Sequence, residues 1–397
     1  MSGDPFLRRV IVKNYKSIAV CNVELGRLTF LVGPNGSGKS NFLDALRFVA
    51  DALRTTLDHA LRDRGGINEV RRRSSGHPNH FGMRLEFMLP GGTPGHYAFK
   101  IGAKPRGAFE VQTEECVVRG AERASFRVES GGRTGKGPKK AVPADRLYLV
   151  AASGETEFRP VYDALSHMAF YNLNPDRMRE LQTSDSGELL ARDGSNATSV
   201  FRLLAELRPK QRSRIEEYLS QVVPGVKGIE ARVLGPRETL EFRQEVAGAK
   251  NPWHFLAANM SDGTLRALGI LLSLFQTGNG KRITLVGMEE PEIALHPAAA
   301  GILLDALREA SRESQIVVTS HSPDLLDITD LASESILAVN KEKGDTEIAS
   351  IDQASVAMLR QGLYTPGELL RLGQLEPDTQ LFGETTKQLS LFDVGPV

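Results

Sequence analysis

Cysteine is nearly absent from this sequence: Cys21 and Cys116 are the only two in 397 residues. Two thiols make neither a disulfide framework nor a zinc ribbon, and the reducing cytoplasm is the simplest setting. Long apolar runs are missing too. No window approaches the roughly 18 consecutive apolar residues of a membrane span. The start, MSGDPFLRRV, lacks an apolar stretch of signal-peptide length. Neither a membrane nor export is expected. Net charge is also absent, with 49 Lys and Arg against 49 Asp and Glu. That balance argues against coating nucleic acid with the whole surface, while leaving room for a local basic groove. Internal repeats are not found. What remains is ordinary for a globular chain, at 41% hydrophobic and 25% charged.

The order of patterns is more informative. Leu7 to Val12, Ile18 to Leu25 and Leu28 to Val32 read as strands, the last a short apolar run ending in glycine. Phe42, Leu46, Val49, Leu53 and Leu57 recur at three- and four-residue steps and predict an amphipathic helix over 41–57. Phe81 to Leu89 alternates strictly, a Gly-Gly-Thr-Pro-Gly turn follows, and Tyr97, Phe99 and Ile101 alternate again. Residues 80–150 therefore read as a β-rich subdomain, with a mobile loop at 130–140. Helical patterns dominate 159–222, with a possible strand at 170–173. From Arg282 strand and helix alternate, which implies a parallel sheet. The tail beyond Gly362 is expected to be partly flexible.

Residues 33–40, GPNGSGKS, match G-x-x-x-x-G-K-[ST] between an apolar strand and an amphipathic helix. Gly33, Gly36 and Gly38 let successive N–H groups turn inward around phosphates, Asn35, Ser37 and Asn41 among them, and the helix adds its positive end. Lys39 is expected on the β- and γ-phosphates, and the Ser40 hydroxyl on Mg²⁺. Such a loop needs an acidic strand end. In ITLVGMEEPEIALHP (283–297), Glu289 closes a strand and is expected to reach the metal through water, while Glu290 polarises the attacking water. A second strand, Gln315 to Thr319, ends in Ser-His-Ser-Pro. His321 fits a histidine that contacts the γ-phosphate.

A further anion site is written into MSDGTLR (260–266). Ser261 stands as the N-cap of the apolar helix that follows, with Asp262 and Gly263 next. A second phosphate-binding helix start makes sense if two chains pair head to tail, each closing on the other's ATP.

These four elements, in this order, resemble an ABC-type ATPase head. VKNYKSI (12–18), GPNGSGKSNFLDAL, EEPEIALHP and TSHSPDLL narrow the resemblance to stand-alone AAA ATPases of the OLD, RecF and SMC group. The resemblance implies an α/β P-loop NTPase with a mixed or parallel central sheet, binding ATP and Mg²⁺ and hydrolysing ATP as a homodimer or higher oligomer. Residues 1–340 are then the head: a P-loop lobe (1–63), the β-rich subdomain (80–150), a mainly helical insertion (159–255) and a signature lobe (256–340). Residues 341–397 are a short extension. Ile293–His296 is implied as the loop that crosses the dimer, and Gln182 is one candidate for the glutamine loop.

The span between Ser40 and Ser261 holds no sustained heptad pattern, unlike SMC arms. No Asp-x-Asp pair with a supporting strand follows His321, so no nuclease activity is expected. Asn340-Lys341-Glu342-Lys343 lacks the aspartate that reads guanine. Two client readings stay open. One is DNA, tracked by Arg133, Lys136, Lys139 and Lys140 or by the five arginines of 62–73; a RecF-like repair ATPase is its sharper form. The other, carried by resemblance, is a regulatory or scaffold ATPase of a bacterial defence system with a separately encoded effector.

Overall fold

The computed structural model describes residues 4–74, 78–121, 123–129, 132–134, 143, 145–276, 283–293, 295–327, 336–378 and 390–392. Two compact units emerge, Met1–Met168 with Asp330–Val397, and Ala169–Thr329. These bounds cut across the expected lobes.

In the first unit, β1 (Leu7–Tyr15), β2 (Ile18–Glu24), β4 (His80–Leu89), β5 (Thr93–Ala103), β6 (Phe109–Arg119), β7 (Arg123–Glu129) and β8 (Gly132–Thr134) form one antiparallel sheet, while β3 (Leu28–Val32) lies outside it. The order is β2-β1-β4-β5-β6-β7-β8. The N-terminal hairpin thus belongs with the β-rich region rather than with a separate P-loop lobe. Val12 stands opposite Met83, which aligns the apolar alternations of β1 and β4. The helix α1 (Lys39–Arg54) contributes Phe48 to this sheet's aromatic core. Phe48 lies 5.4 Å edge-on from Phe81, which lies 5.7 Å from Tyr15. The helix ends before Leu57, earlier than its periodicity suggests. Thr56 takes extended geometry, accepts from the His59 N–H and starts a separate short helix, Leu57–Arg62.

Strand β3 runs parallel to Ile336–Glu342, with Leu31 opposite Leu337. That strand turns back antiparallel as Asp345–Ser350. The hairpin crosses the expected boundary at residue 340, and helices Gln353–Arg360 and Pro366–Arg371 follow it. Within the loop expected at 130–140, Gly132–Thr134 is strand β8. Lys136, Lys139 and Lys140, and the Arg133 side chain, lie outside the described residues.

In the second unit, strand Leu285–Glu289 runs parallel to Gln315–Ser320, with Glu289 opposite Thr319. Helix Ala300–Ser311 connects them. Helix Asp262–Phe275 stacks Phe275 on Tyr218 of helix Pro209–Val222, 5.7 Å between centroids. The stretch expected to be mainly helical also carries antiparallel strands: Val226–Leu234, Arg237–Gln244 and Trp253–Leu256. The alternation there is masked because the buried positions of Arg237–Gln244 include Glu238, Thr239 and Glu241 beside Leu240 and Phe242. These buried carboxylates are paired, Glu238 with Ser199 and Arg202 and Glu241 with Arg232 and His254. Among the described residues, no helix is long and apolar enough to cross a membrane. The architecture is α/β, with mixed sheets and helices.

Candidate nucleotide site

The phosphate-type loop leaves the buried end of β3 at Val32 and re-enters order at α1. Gly38 is the N-cap, at φ +108, a conformation that side-chain-bearing residues rarely adopt. Pro34, Asn35, Gly36 and Ser40 are exposed, while Ser37 and Lys39 are buried. The Lys39 ammonium donates to the Gly33 carbonyl at 2.7 Å and the Pro34 carbonyl at 3.0 Å, so it lies along the inside of its own loop. The Ser37 hydroxyl is buried without a hydrogen-bond partner among the described residues. An inward lysine, an orphaned hydroxyl and an exposed Ser40 at the helix start fit a phosphate-bound Mg²⁺ nucleotide.

The loop is braced from behind. Thr346 Oγ1 donates to the Ser37 carbonyl at 2.8 Å and lies 2.7 Å from Ser17 Oγ. Asn41 Nδ2 donates to the same Ser17 hydroxyl at 2.6 Å, so its side chain serves the frame of the loop. One turn further, Asp44 accepts from Tyr15 (2.8 Å) and Arg64 (3.0 Å) and pairs with Lys16 (2.6 Å) and Arg47 (2.6 Å). Burial pushes the Asp44 carboxyl upward, but the charges of Arg64, Lys16 and Arg47 win and hold it well below the usual carboxylate range.

This cluster also revises the basic segment 62–73. Arg64 is buried on Asp44 and Asp51. Arg72 forks onto Asp345 through 2.6–2.9 Å bonds. Arg62 and Arg73 remain largely exposed beside Asp58 and Glu69. Fewer of the five arginines face solvent than their number implies.

The second unit presents the acidic end. Glu289 closes its strand and accepts from Arg192 Nη2 at 2.8 Å. Glu290 follows at φ +46, a strained setting for a glutamate. Its N–H is held by the Thr319 carbonyl at 3.0 Å, and its carbonyl by Arg266 Nη2 at 3.3 Å. The strained turn aims the Glu290 carboxylate at His321, with Oε1 3.2 Å from Nδ1. That separation is within ion-pair range, although the angles do not make a hydrogen bond. Glu292 Oε1 accepts from Ser320 Oγ at 2.6 Å and from the His321 N–H at 3.3 Å, which fixes the histidine's backbone. Its other oxygen is buried without a hydrogen-bond partner among the described residues.

Ser261 caps helix Asp262–Phe275 and accepts from the Thr264 N–H at 3.2 Å. Arg179 bonds both the Met260 carbonyl and the exposed Asp262 carboxylate. Gly263 is half-buried. Gln182, weighed for the glutamine loop, is buried: it donates to the Gly194 carbonyl at 3.3 Å and accepts from the Thr198 N–H at 2.9 Å. Its side chain is consumed in capping a helix. Of the segment 293–296, Ala294 lies outside the described residues, Ile293 is exposed, and His296 Nδ1 accepts from the Ala298 N–H at 3.1 Å. Arg192, Arg179 and Thr346 lie outside every motif, and Arg266, Glu292 and Asp44 lie inside the quoted strings without a role that the sequence assigns; their contacts come from the fold. No group of three or more His, Cys, Asp or Glu among the described residues is set to hold a metal alone. Mg²⁺ that arrives with nucleotide phosphates needs only one or two protein ligands.

Comparison with known proteins falls on the same segments. The family described as "AAA domain, putative AbiEii toxin, Type IV TA system" matches residues 28–106 and 252–327, which hold the loop and the acidic end. The chain is 25% identical over 365 residues to an OLD nuclease of Thermus scotoductus, covering 87% of this chain and 64% of that protein. It is 24% identical over 377 residues to structural maintenance of chromosomes protein 1 of Schizosaccharomyces pombe, covering 90% of this chain and 28% of that protein. The chain therefore spans less than two thirds of either relative. Among solved structures, an SMC head bound to the C-terminal winged-helix domain of ScpA superposes with TM-score 0.56 at 14% identity, covering 89% of this chain and 99% of that one. An SMC head with an extended coiled coil, bound to the C-terminal domain of ScpA derived from Pyrococcus furiosus, gives 0.56 at 13%, covering 90% and 99%.

Proposed function

We propose that this chain, an ATPase head of the OLD/SMC type, is a nucleotide switch that works as a head-to-tail dimer. The observation that carries the reading is the Glu290 carboxylate aimed at His321 across the ends of two parallel strands. In this assignment Gly33, Asn35, Gly36, Ser37 and Gly38 wrap the phosphates, Lys39 neutralises the β- and γ-oxygens, and Ser40 and Glu289 serve Mg²⁺. Bound Mg²⁺ supplies charge compensation on the transferred phosphoryl group. Glu290 accepts the proton of the attacking water, and His321 orients the γ-phosphate. Ser261, Asp262 and Gly263 offer a capped helix start to the nucleotide of the second protomer. The chemistry assigned to these residues is ATP hydrolysis, not phosphodiester cleavage.

The client is a separately encoded effector in a bacterial defence setting. Support comes from the matched family's description, which names a toxin and a toxin–antitoxin system, and from the OLD-type relative. Lys39→Ala tests the site. It is expected to weaken ATP binding about ten- to a hundred-fold, the loss of charge-assisted bonds to phosphate. Unchanged ATP affinity, measured by calorimetry, overturns the assignment of the loop.

A further inference from the structure

Arg192 stands at the bend of a pinned turn. The Gly194 N–H donates back to the Ala191 carbonyl at 2.9 Å, and Gly194 takes φ +81, which puts Arg192 and Asp193 at the tip. Neighbouring segments hold this turn by its backbone. Asn172 donates its N–H to the Arg192 carbonyl at 3.0 Å, and Asn174 donates to the Asp193 carbonyl at 3.0 Å. Gln276, at the end of helix Asp262–Phe275, accepts from the Leu190 N–H at 2.8 Å. Asn196 accepts from the Ala191 N–H at 2.7 Å. None of these bonds uses the Arg192 side chain, which is 45% exposed and reaches out to Glu289. The guanidinium meets that carboxylate through one bond, Nη2 to Oε1 at 2.8 Å. Arg72, by contrast, forks onto both oxygens of Asp345.

The role assigned to Glu289 puts two cations in competition. Mg²⁺ and a guanidinium both seek carboxylate lone pairs. Mg²⁺ gives up its water shell reluctantly, and a positive charge already lying on its carboxylate adds repulsion to that cost. A single, half-exposed contact is weak enough to yield, whereas a two-pronged fork is held more firmly. We propose that Arg192 is a displaceable cover on Glu289, competing with Mg²⁺ for the carboxylate and setting the Mg²⁺ concentration at which nucleotide binds tightly. The inference rests on the assignment of Glu289 to the metal. The pinned backbone keeps the guanidinium beside its acid, and the flexible stem lets it swing aside when metal and phosphates arrive together. The switch then answers to metal-loaded nucleotide rather than to nucleotide alone.

The test measures binding rather than turnover. Calorimetric titration of the full chain with a non-hydrolysable ATP analogue, adenylyl imidodiphosphate, is repeated over a series of Mg²⁺ concentrations and in EDTA. Arg192→Gln is expected to lower the Mg²⁺ concentration for half-maximal affinity about three-fold, the scale of a part-exposed ion pair. Arg192→Lys keeps the charge and stays close to wild type, while Arg192→Glu moves further in the direction of Arg192→Gln. In EDTA all four proteins bind with the same affinity, since no second cation competes. A merely structural arginine would not sort its variants by charge, nor improve metal use when removed. Glu289→Gln, run beside them, is expected to raise the Mg²⁺ requirement. A requirement unchanged or raised in Arg192→Gln, with Glu289→Gln raised as expected, overturns the cover and leaves the metal assignment standing. Requirements unchanged in both, or no binding by the wild type, overturn the metal assignment and the cover with it. A weaker EDTA affinity in Arg192→Gln makes the arginine a phosphate ligand and likewise overturns the proposal.

Discussion

Thr346 Oγ1 donates a 2.8 Å hydrogen bond to the carbonyl of Ser37, although the two residues are 309 positions apart. Through it the hairpin Ile336–Glu342 and Asp345–Ser350 supports the phosphate-type loop from behind. The same hydroxyl meets Ser17 Oγ, which in turn accepts from Asn41. Thr346→Val removes the donor and keeps the shape. The expected result is a rise in KM for ATP of about five-fold, the worth of one net hydrogen bond of about 1 kcal/mol, with Thr346→Ser restoring the wild-type value. Steady-state turnover of the three proteins checks this.

Asp44 is the hub that ties α1 to the turn after β1. Asp44→Asn leaves the buried Arg64 guanidinium with Asp51 as its carboxylate partner and is expected to destabilise the first unit by about 1.5–3 kcal/mol, the worth of hydrogen bonds to a charged group. Because the Asp44 pKa is depressed in the folded chain, its contribution is fully present above the ordinary carboxylate range and is lost as pH falls through that range and below it. The stability gap between wild type and variant therefore narrows on acidification. Urea unfolding at neutral and acid pH measures the gap, and a gap that widens refutes the ion-pair account.

Glu114 has the opposite sign. Burial pushes its carboxyl up to about 7, against the N–H groups of Tyr148 and Leu149 and the hydroxyl of Tyr97, which favour the charged form. Between about 4.5 and about 7 the folded chain holds a proton that the unfolded chain has released. Stability falls as pH rises through that window. Glu114→Gln removes this contribution, so its unfolding free energy is expected to decline less steeply over the same range. Chemical unfolding of both proteins at several pH values gives the slopes.

The fold was legible where one residue type carried one message. Strand β3, the glycine loop and α1 follow one another as their periodicity and turn chemistry require, and Ser261 takes the N-cap that its position before an apolar helix suggests. Legibility failed where buried positions are polar. Glu238, Thr239 and Glu241 hide the strand Arg237–Gln244, because pairing with Ser199, Arg202, Arg232 and His254 lets carboxylates occupy positions that periodicity reserves for apolar residues. It failed again for long-range partners. Nothing in the neighbourhood of Arg192 announces Glu289, and nothing near residue 346 announces Ser37, since each pairing is set by sheet topology. Counting arginines on 62–73 overstated that segment's free charge, for Arg64 and Arg72 are committed to Asp44, Asp51 and Asp345.

The central claim is that Glu290 drives hydrolysis in an ATP-closed pair of chains. Glu290→Gln keeps the side chain's size at a position already strained at φ +46, while removing the base. Size-exclusion chromatography with light scattering, with and without ATP and Mg²⁺, tests it most directly. The account predicts turnover at least about 100-fold below wild type, the scale of general-base catalysis, and a dimer that accumulates only when ATP is present. A variant that stays monomeric with ATP and hydrolyses it at the wild-type rate contradicts the account.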